Sequence, residues 1–159
     1  MPDRKPLISI VILNFNQLDV TREFLESTKK LTYPNYEIIM VDNASKENPT
    51  ELIKTQYPDV KLIVSDKNLG FTGGNNLGIK AAKGDYYFIV NNDTEVTPDL
   101  LEHVVETFDL DKSIGVVSPK IKYYSNPDTI QYAGFSEVNP FTGRGKTNGG
   151  KKIDNGDFD

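Results

Sequence analysis

Short apolar runs alternate along this chain with helical patterns, and that alternation restricts the fold more than any other feature. The run "LISIVIL" (Leu7–Leu13) is continuous and rich in β-branched residues, as expected of a strand covered on both faces. "YEIIMVD" (Tyr36–Asp42), "VKLIVSD" (Val60–Asp66) and "YYFIVN" (Tyr86–Asn91) read as further strands. Between the first two, "QLDVTREFLESTKK" places Leu18, Phe24, Leu25 and Thr28 on one helical face, with Asn16 expected as the N-terminal cap. "NPTELIKTQY" opens on a cap-like Asn48 and Pro49. "GGNNLGIKAAKG" reads as a glycine-opened helix that ends at Gly84. Thr97, Pro98 and Asp99 open a helix with Leu101, Val104, Val105 and Phe108 at helical spacing. "IGVVSPKIKYY" and "TIQYAGF" are shorter strands. This order predicts an α/β domain with a mainly parallel sheet.

The totals narrow the function. A chain of 159 residues with 37% apolar content fits one domain with a real core. We expect that domain over residues 1–138, and read the glycine-rich stretch 139–159 as a flexible tail. Eighteen basic residues against twenty-three acidic ones give a net charge of −5, which argues against nucleic acid as a partner. The chain has no cysteine, so disulfides, thiolate zinc sites and cysteine nucleophiles are excluded. A single histidine, His103, argues against a histidine-based triad; it lies beside an apolar helical stripe and is assigned no role. "MPDRKPLISIVILNF" reads as charged residues followed by a strand rather than as a leader, and no apolar run approaches the ~20 residues of a membrane helix. The expected location is the cytoplasm, including the inner face of the cell membrane.

Polar residues follow each strand. The first ends in Asn14-Phe15-Asn16, the second in Asp42-Asn43, the third in Asp66-Lys67-Asn68-Leu69-Gly70 and the fourth in Asn91-Asn92-Asp93. In an open parallel sheet these carboxyl ends share one edge, where ligands bind. Asp42 is suited to accept from a ribose hydroxyl or a base N–H. Gly70, Gly73 and Gly74 let backbone approach a ligand at a helix N-terminus. Asp93 and Asn91 offer hard oxygens of the kind Mg²⁺ or Mn²⁺ shares with phosphates. Each piece has a bland counterpart: Asn and Asp are common turn formers, and glycines allow tight helix–sheet packing. The conjunction points to a nucleotide diphosphate.

Taken in order, "ISIVILNFNQLDVTREFLES", "IIMVDNASKENPTE", "NLGFTGGNNLGI" and "YYFIVNNDTEVTPDLLE" resemble the family 2 inverting glycosyltransferases, nearest their bacterial rhamnosyltransferase-like branch. The resemblance runs from about Pro6 to Phe135. It implies the GT-A fold, a Rossmann-like three-layer α/β/α arrangement, and a role in polysaccharide or cell-envelope synthesis. It also implies a nucleotide-diphosphate sugar donor, UDP- or dTDP-linked, and a saccharide or lipid-linked saccharide acceptor. By the same resemblance, Leu13, Asn14 and Phe15 lie near the base, with Asn16 bracing the turn. Asp42, with Asn43 beside it, binds the base and ribose, bordered by Asn68, Gly70 and Asn76. Asn91, Asn92 and Asp93 stand in the place of the family's metal motif, with Asp93 and Asn91 as ligands of Mg²⁺ or Mn²⁺. An amide at Asn91 in place of a carboxylate implies a weaker hold on the metal. The general base of inversion is expected beyond residue 159, so the chain reads as the donor-binding half. An apolar face left uncovered by the acceptor half would favour a homo-oligomer.

Other readings compete. A dinucleotide oxidoreductase would carry its glycines after the first strand, and "NFNQLD" has none. A GT-A-like nucleotidyltransferase would want a basic glycine-rich loop at the same place. A non-catalytic nucleotide-binding or scaffolding module is the alternative outside enzymes.

Overall fold

The structure is a computed structural model that describes residues 5–158. The chain divides into two compact units, Met1–Glu102 and His103–Asp159.

The first unit is a 4-stranded sheet in the order β3-β2-β1-β4, with β1 at Ile8–Asn14, β2 at Tyr36–Asp42, β3 at Val60–Val64 and β4 at Tyr86–Ile89. All its pairings are parallel. The inner strands β1 and β2 are almost wholly buried, which accounts for their unbroken apolar runs. The edge strand β4 instead alternates half-buried Tyr86 and Phe88 with exposed Tyr87 and Ile89. The core gathers Ile8, Ile10, Val11 and Ile12 with Ile39, Met40 and Val41. Each such side chain is worth about 1.5–3 kcal/mol on burial.

Helix α1 (Leu18–Thr28) buries Thr21, Phe24, Leu25, Ser27 and Thr28; of the face anticipated from spacing, Leu18 is only half-buried, and Thr21 and Ser27 are added. Its cap position falls at Gln17, not Asn16. Asn16 sits in the left-handed region at φ 56, and its side chain accepts from the Lys46 amide instead of from the helix. Helix α2 (Thr50–Gln56) follows Asn48, whose Oδ1 accepts from the Thr50 amide. Helix α3 (Gly70–Ala81) carries the chain from β3 across β2 and β1 to β4. A Cβ on Gly74 would come within 2.3 Å of Leu13 Cδ1, and one on Gly78 within 2.5 Å of Val11 Cγ1. The neighbour at Gly78 is a stiff valine and calls for glycine, whereas at Gly74 it is the flexible end of Leu13; both positions lie in close helix–sheet contact. Helix α4 (Leu100–Leu110) starts with Leu101 fully buried.

In the second unit, β5 (Ile121–Tyr123) pairs antiparallel with β6 (Asn126–Tyr132). The stretch 139–158, expected to be a flexible tail, folds back along β6 and the residues after it. Thr129 bridges to Ile153 and Phe135 to Thr147. Ile130 is bonded on both sides of its peptide to this stretch: its amide donates to the Lys152 carbonyl at 2.8 Å, and its carbonyl accepts from the Lys151 amide at 2.8 Å. Glycines that suggested disorder serve as turns, with Gly143 at φ 64 and Gly149 at φ 70. No helix of the described residues is long and apolar enough to cross a membrane.

Candidate functional site

The parallel register aligns the strand ends, with Asn14 beside Asp42 and Asp42 beside Val64. Strand order turns back at β1, and the junction of β1 with β4 is where an open sheet offers a crevice.

Burying an amide or a carboxylate costs free energy unless its hydrogen bonds are made. Asn14 is wholly buried and makes its bonds. Its Nδ2 donates to Asp42 Oδ1 at 2.7 Å and to Ser45 Oγ at 3.1 Å, and its Oδ1 accepts from Thr21 Oγ1 at 2.9 Å. Asp42 is 1% exposed, and its Oδ2 accepts from the Ser45 amide at 3.0 Å. Asn92, also buried, donates to Thr21 Oγ1 at 2.7 Å. The ends of β1 and β2 and the loop after β4 are thus joined through one hydroxyl on α1.

The loops above this network are held in defined turns. Asn16 and Ala44 both take positive φ, 56 and 64, a conformation side chains resist unless the surroundings impose it. Ser45 Oγ accepts from the Asn16 amide at 2.8 Å and so ties the two turns together. Asn43 works the other flank. Its Nδ2 donates to Asn68 Oδ1 at 2.9 Å, and its Oδ1 accepts from the Leu69 amide at 2.8 Å. Gly70 opens α3 at φ 68 with open space around its α-carbon. A cleft of about 420 Å³ lies over the β1 and β2 ends, bordered by Asn14, Asn16, Gln17, Asp19, Ser45 and Lys46.

The residues singled out in the sequence therefore fall into two layers. Phe15, Asn16, Asn68, Gly70, Asn76, Asn91 and Asp93 are exposed and can meet a ligand. Asn14, Asp42, Asn43 and Asn92 are buried beneath them, and Leu13 lies half-buried against α3. Asp42, expected to grip a ribose or base, spends both carboxylate oxygens inside the protein. Asn92 faces Thr21 rather than the edge. Thr21 and Ser45 escaped the sequence reading. Thr21 carries a signal only in hindsight, as a hydroxyl on the apolar face of α1.

The fit of Mg²⁺ or Mn²⁺ can be judged from the donors. Asn91 and Asp93 are exposed at the same loop and carry hard oxygens. Among the described residues no group of three or more His, Cys, Asp or Glu could hold a metal. The donor set fits a cation that takes its remaining ligands from phosphate and water, as these ions commonly do.

The model of the family described as "Glycosyl transferase family 2" matches residues 9–158, past the Phe135 limit of the resemblance and through the paired C-terminal stretch. An uncharacterized glycosyltransferase of Rickettsia felis is 31% identical over 134 residues, which is 84% of this chain and 20% of that protein. A poly-beta-1,6-N-acetyl-D-glucosamine synthase of Staphylococcus epidermidis is 29% identical over 134 residues, 79% of this chain and 32% of that one. Among solved structures, the mannosyltransferase PcManGT of Pyrobaculum calidifontis, in complex with GDP-Man and Mn2+, aligns with a TM-score of 0.68 at 22% identity over 77% of this chain and 37% of that one. S. aureus TarS 1–349 in complex with UDP-GlcNAc aligns with a TM-score of 0.58 at 20% identity over 75% of this chain and 41% of that one. At these identities the likeness shows a shared glycosyltransferase GT-A fold. The chain spans between about a fifth and two fifths of the length of these proteins.

Proposed function

This chain belongs to glycosyl transferase family 2, and from that premise we propose that it forms the donor-binding part of an enzyme that transfers a sugar from a nucleotide diphosphate to a saccharide hydroxyl. The observation that carries this reading is the layered carboxyl edge. Exposed Asn91 and Asp93 stand on a loop whose middle residue, Asn92, is anchored through Thr21 to Asn14. The loop that carries the exposed oxygens is anchored, and the oxygens themselves are left to face solvent.

In the proposed reaction an acceptor hydroxyl attacks the anomeric carbon of the donor sugar as the bond to the diphosphate breaks, with inversion. The hydroxyl proton passes to a general base. Asp93 and Asn91 would hold the metal, and Phe15, Asn16, Asn68 and Gly70 would line the nucleotide. Asp42 would act from below, fixing Asn14 and the Ser45 turn. A bound Mg²⁺ or Mn²⁺ would offset charge on the departing diphosphate. The donor is proposed as a UDP- or dTDP-sugar, and the acceptor as a saccharide or lipid-linked saccharide. Support for a nucleotide-sugar donor comes from the two solved neighbours bound to GDP-Man and UDP-GlcNAc.

Calorimetric titration with UDP-, dTDP- and GDP-sugars, with and without Mn²⁺, tests this. Metal-dependent binding of at least one donor is expected, weakened by about tenfold or more in Asp93→Ala. A chain that binds none of them would be a scaffolding module instead.

A further inference from the structure

We infer that Thr21 is a positioning residue of the donor site, one that sets the Asp93 loop against the β2 turn without touching donor or metal. The inference rests on the proposed donor-binding reading but goes beyond it, because it assigns a role to a helix residue outside the exposed shelf.

The geometry is specific to a hydroxyl. Asn14 commits both amide hydrogens toward β2, to Asp42 and Ser45, so only its carbonyl faces α1. That carbonyl needs a donor, and Thr21 supplies one at 2.9 Å. Asn92 presents an amide hydrogen from the other side, and the same Oγ1 accepts it at 2.7 Å. One atom must therefore donate toward β1 and accept from the β4 loop at the same time. A hydroxyl does both, while a methyl group does neither. Thr21 is wholly buried, so water does not replace the lost bonds.

The two ends of this relay are the two ends of the proposed site. On the β4 side, Asn92 lies between Asn91 and Asp93, so its anchoring holds the backbone that carries both exposed side chains. On the β2 side, Asn14 holds Asp42 and Ser45, and Ser45 in turn holds the Asn16 turn. The loop also has its own flanking bonds, from the Val90 amide to the Val11 carbonyl at 3.2 Å and from the Val96 amide to Ser27 Oγ at 3.3 Å. These let the loop's tether be read one residue at a time.

The test compares Thr21→Val, which keeps the shape and removes the hydroxyl, with Thr21→Ser, which keeps the hydroxyl. Amide hydrogen exchange at Val90, Val96, Ser45 and Lys46 is measured without ligand, and UDP binding is measured with and without Mn²⁺. In Thr21→Val, exchange at Val96 and Ser45 should accelerate by about tenfold more than at Ile10 or Ile39 in the core, and Thr21→Ser should restore protection. UDP affinity in Mn²⁺ should fall by about tenfold in the valine variant and recover in the serine variant. The inference is overturned if the valine variant keeps local protection and UDP affinity, or if serine fails to restore either. If UDP, dTDP and GDP all fail to bind the unaltered chain while hydroxyl-dependent protection persists, the donor reading falls and Thr21 stands as the tether of the β4 loop alone.

Discussion

At the carboxyl edge of the sheet, a buried carboxylate, Asp42, accepts from neutral donors: the Asn14 amide and the Ser45 backbone. In the C-terminal unit, Asp154 meets charged ones, with Lys122 Nζ at 2.8 Å and Lys120 Nζ at 3.0 Å. Both acids hold irregular backbone in place. The first lies in a unit whose core is dense with buried Ile, Val and Leu. The second lies in a unit where Ile130 is the one buried large apolar side chain among the described residues from His103 onward. Where a core exists, short neutral side chains can be buried and saturated to specify a turn. Where it is thin, long charged side chains reach across strands to do the joining. The difference predicts that the first region responds sharply to substitution and weakly to solvent, and the second the reverse.

The largest expected effect follows from Asn14→Asp. The change is nearly isosteric, but it sets a second carboxylate against Asp42 where the amide now donates at 2.7 Å. Two buried carboxylates so close cannot both ionise, and Asp42 loses its donor. We expect a loss of about 3 kcal/mol or more in urea unfolding at neutral pH. The loss should shrink as pH falls, because one proton shared by the pair removes the repulsion. A variant as stable as the parent at pH 7 would mean the edge does not depend on this amide.

Gly78→Ala comes next. The new Cβ would lie 2.5 Å from Val11 Cγ1 and 3.2 Å from Val41 Cγ2, both on stiff β-branched side chains of the inner strands. Overpacking of this kind costs about 1–3 kcal/mol, partly offset by alanine's better helix propensity of about 1 kcal/mol. At Gly74 the obstacle is the far end of Leu13, a more yielding neighbour. Thermal unfolding should therefore rank Gly78→Ala below Gly74→Ala, and the opposite order would count against rigid seating of α3.

The same contrast explains what the sequence disclosed. Strand positions were legible because a continuous apolar run can hardly be anything else in a layered sheet; β2 falls at Tyr36–Asp42 as read. The polar strand ends were legible as a group, since parallel register brings them to one edge. Which of them face outward was not. The direction of Asn92 depends on Thr21, 71 residues away in the chain, and no local pattern carries that pairing. Asp42 reads as a ligand; its burial and its bonds to Asn14 and Ser45 are carried by no local pattern. The stretch 139–158 hid for another reason: its pairing uses backbone groups, with Ile153 and Phe141 left exposed, so it lacks the alternation that marks a strand.

The smallest effect is expected from acid and salt at Asp154. The Lys122 and Lys120 ammonium groups beside it hold its carboxyl down to about 2. A carboxyl held below its unfolded value, about 3.9, adds stability that is fully present above that value. The contribution is lost as pH falls toward about 2, where the folded carboxyl takes up its proton. The window of loss is therefore acidic, and neutral or alkaline pH leaves the clamp intact. Water limits its strength, because the Lys122 side chain is 43% exposed. Added salt should weaken it further, whereas Asp42 is sheltered by burial. Protection of the Ile130 and Asp154 amides against hydrogen exchange, taken relative to the intrinsic rate at each pH, should fall below about pH 4 and in high salt. Exchange at Asn43 and Ser45 should hold steady across salt. If salt loosened both regions alike, charge would be doing at the sheet edge what we attribute there to saturated neutral amides.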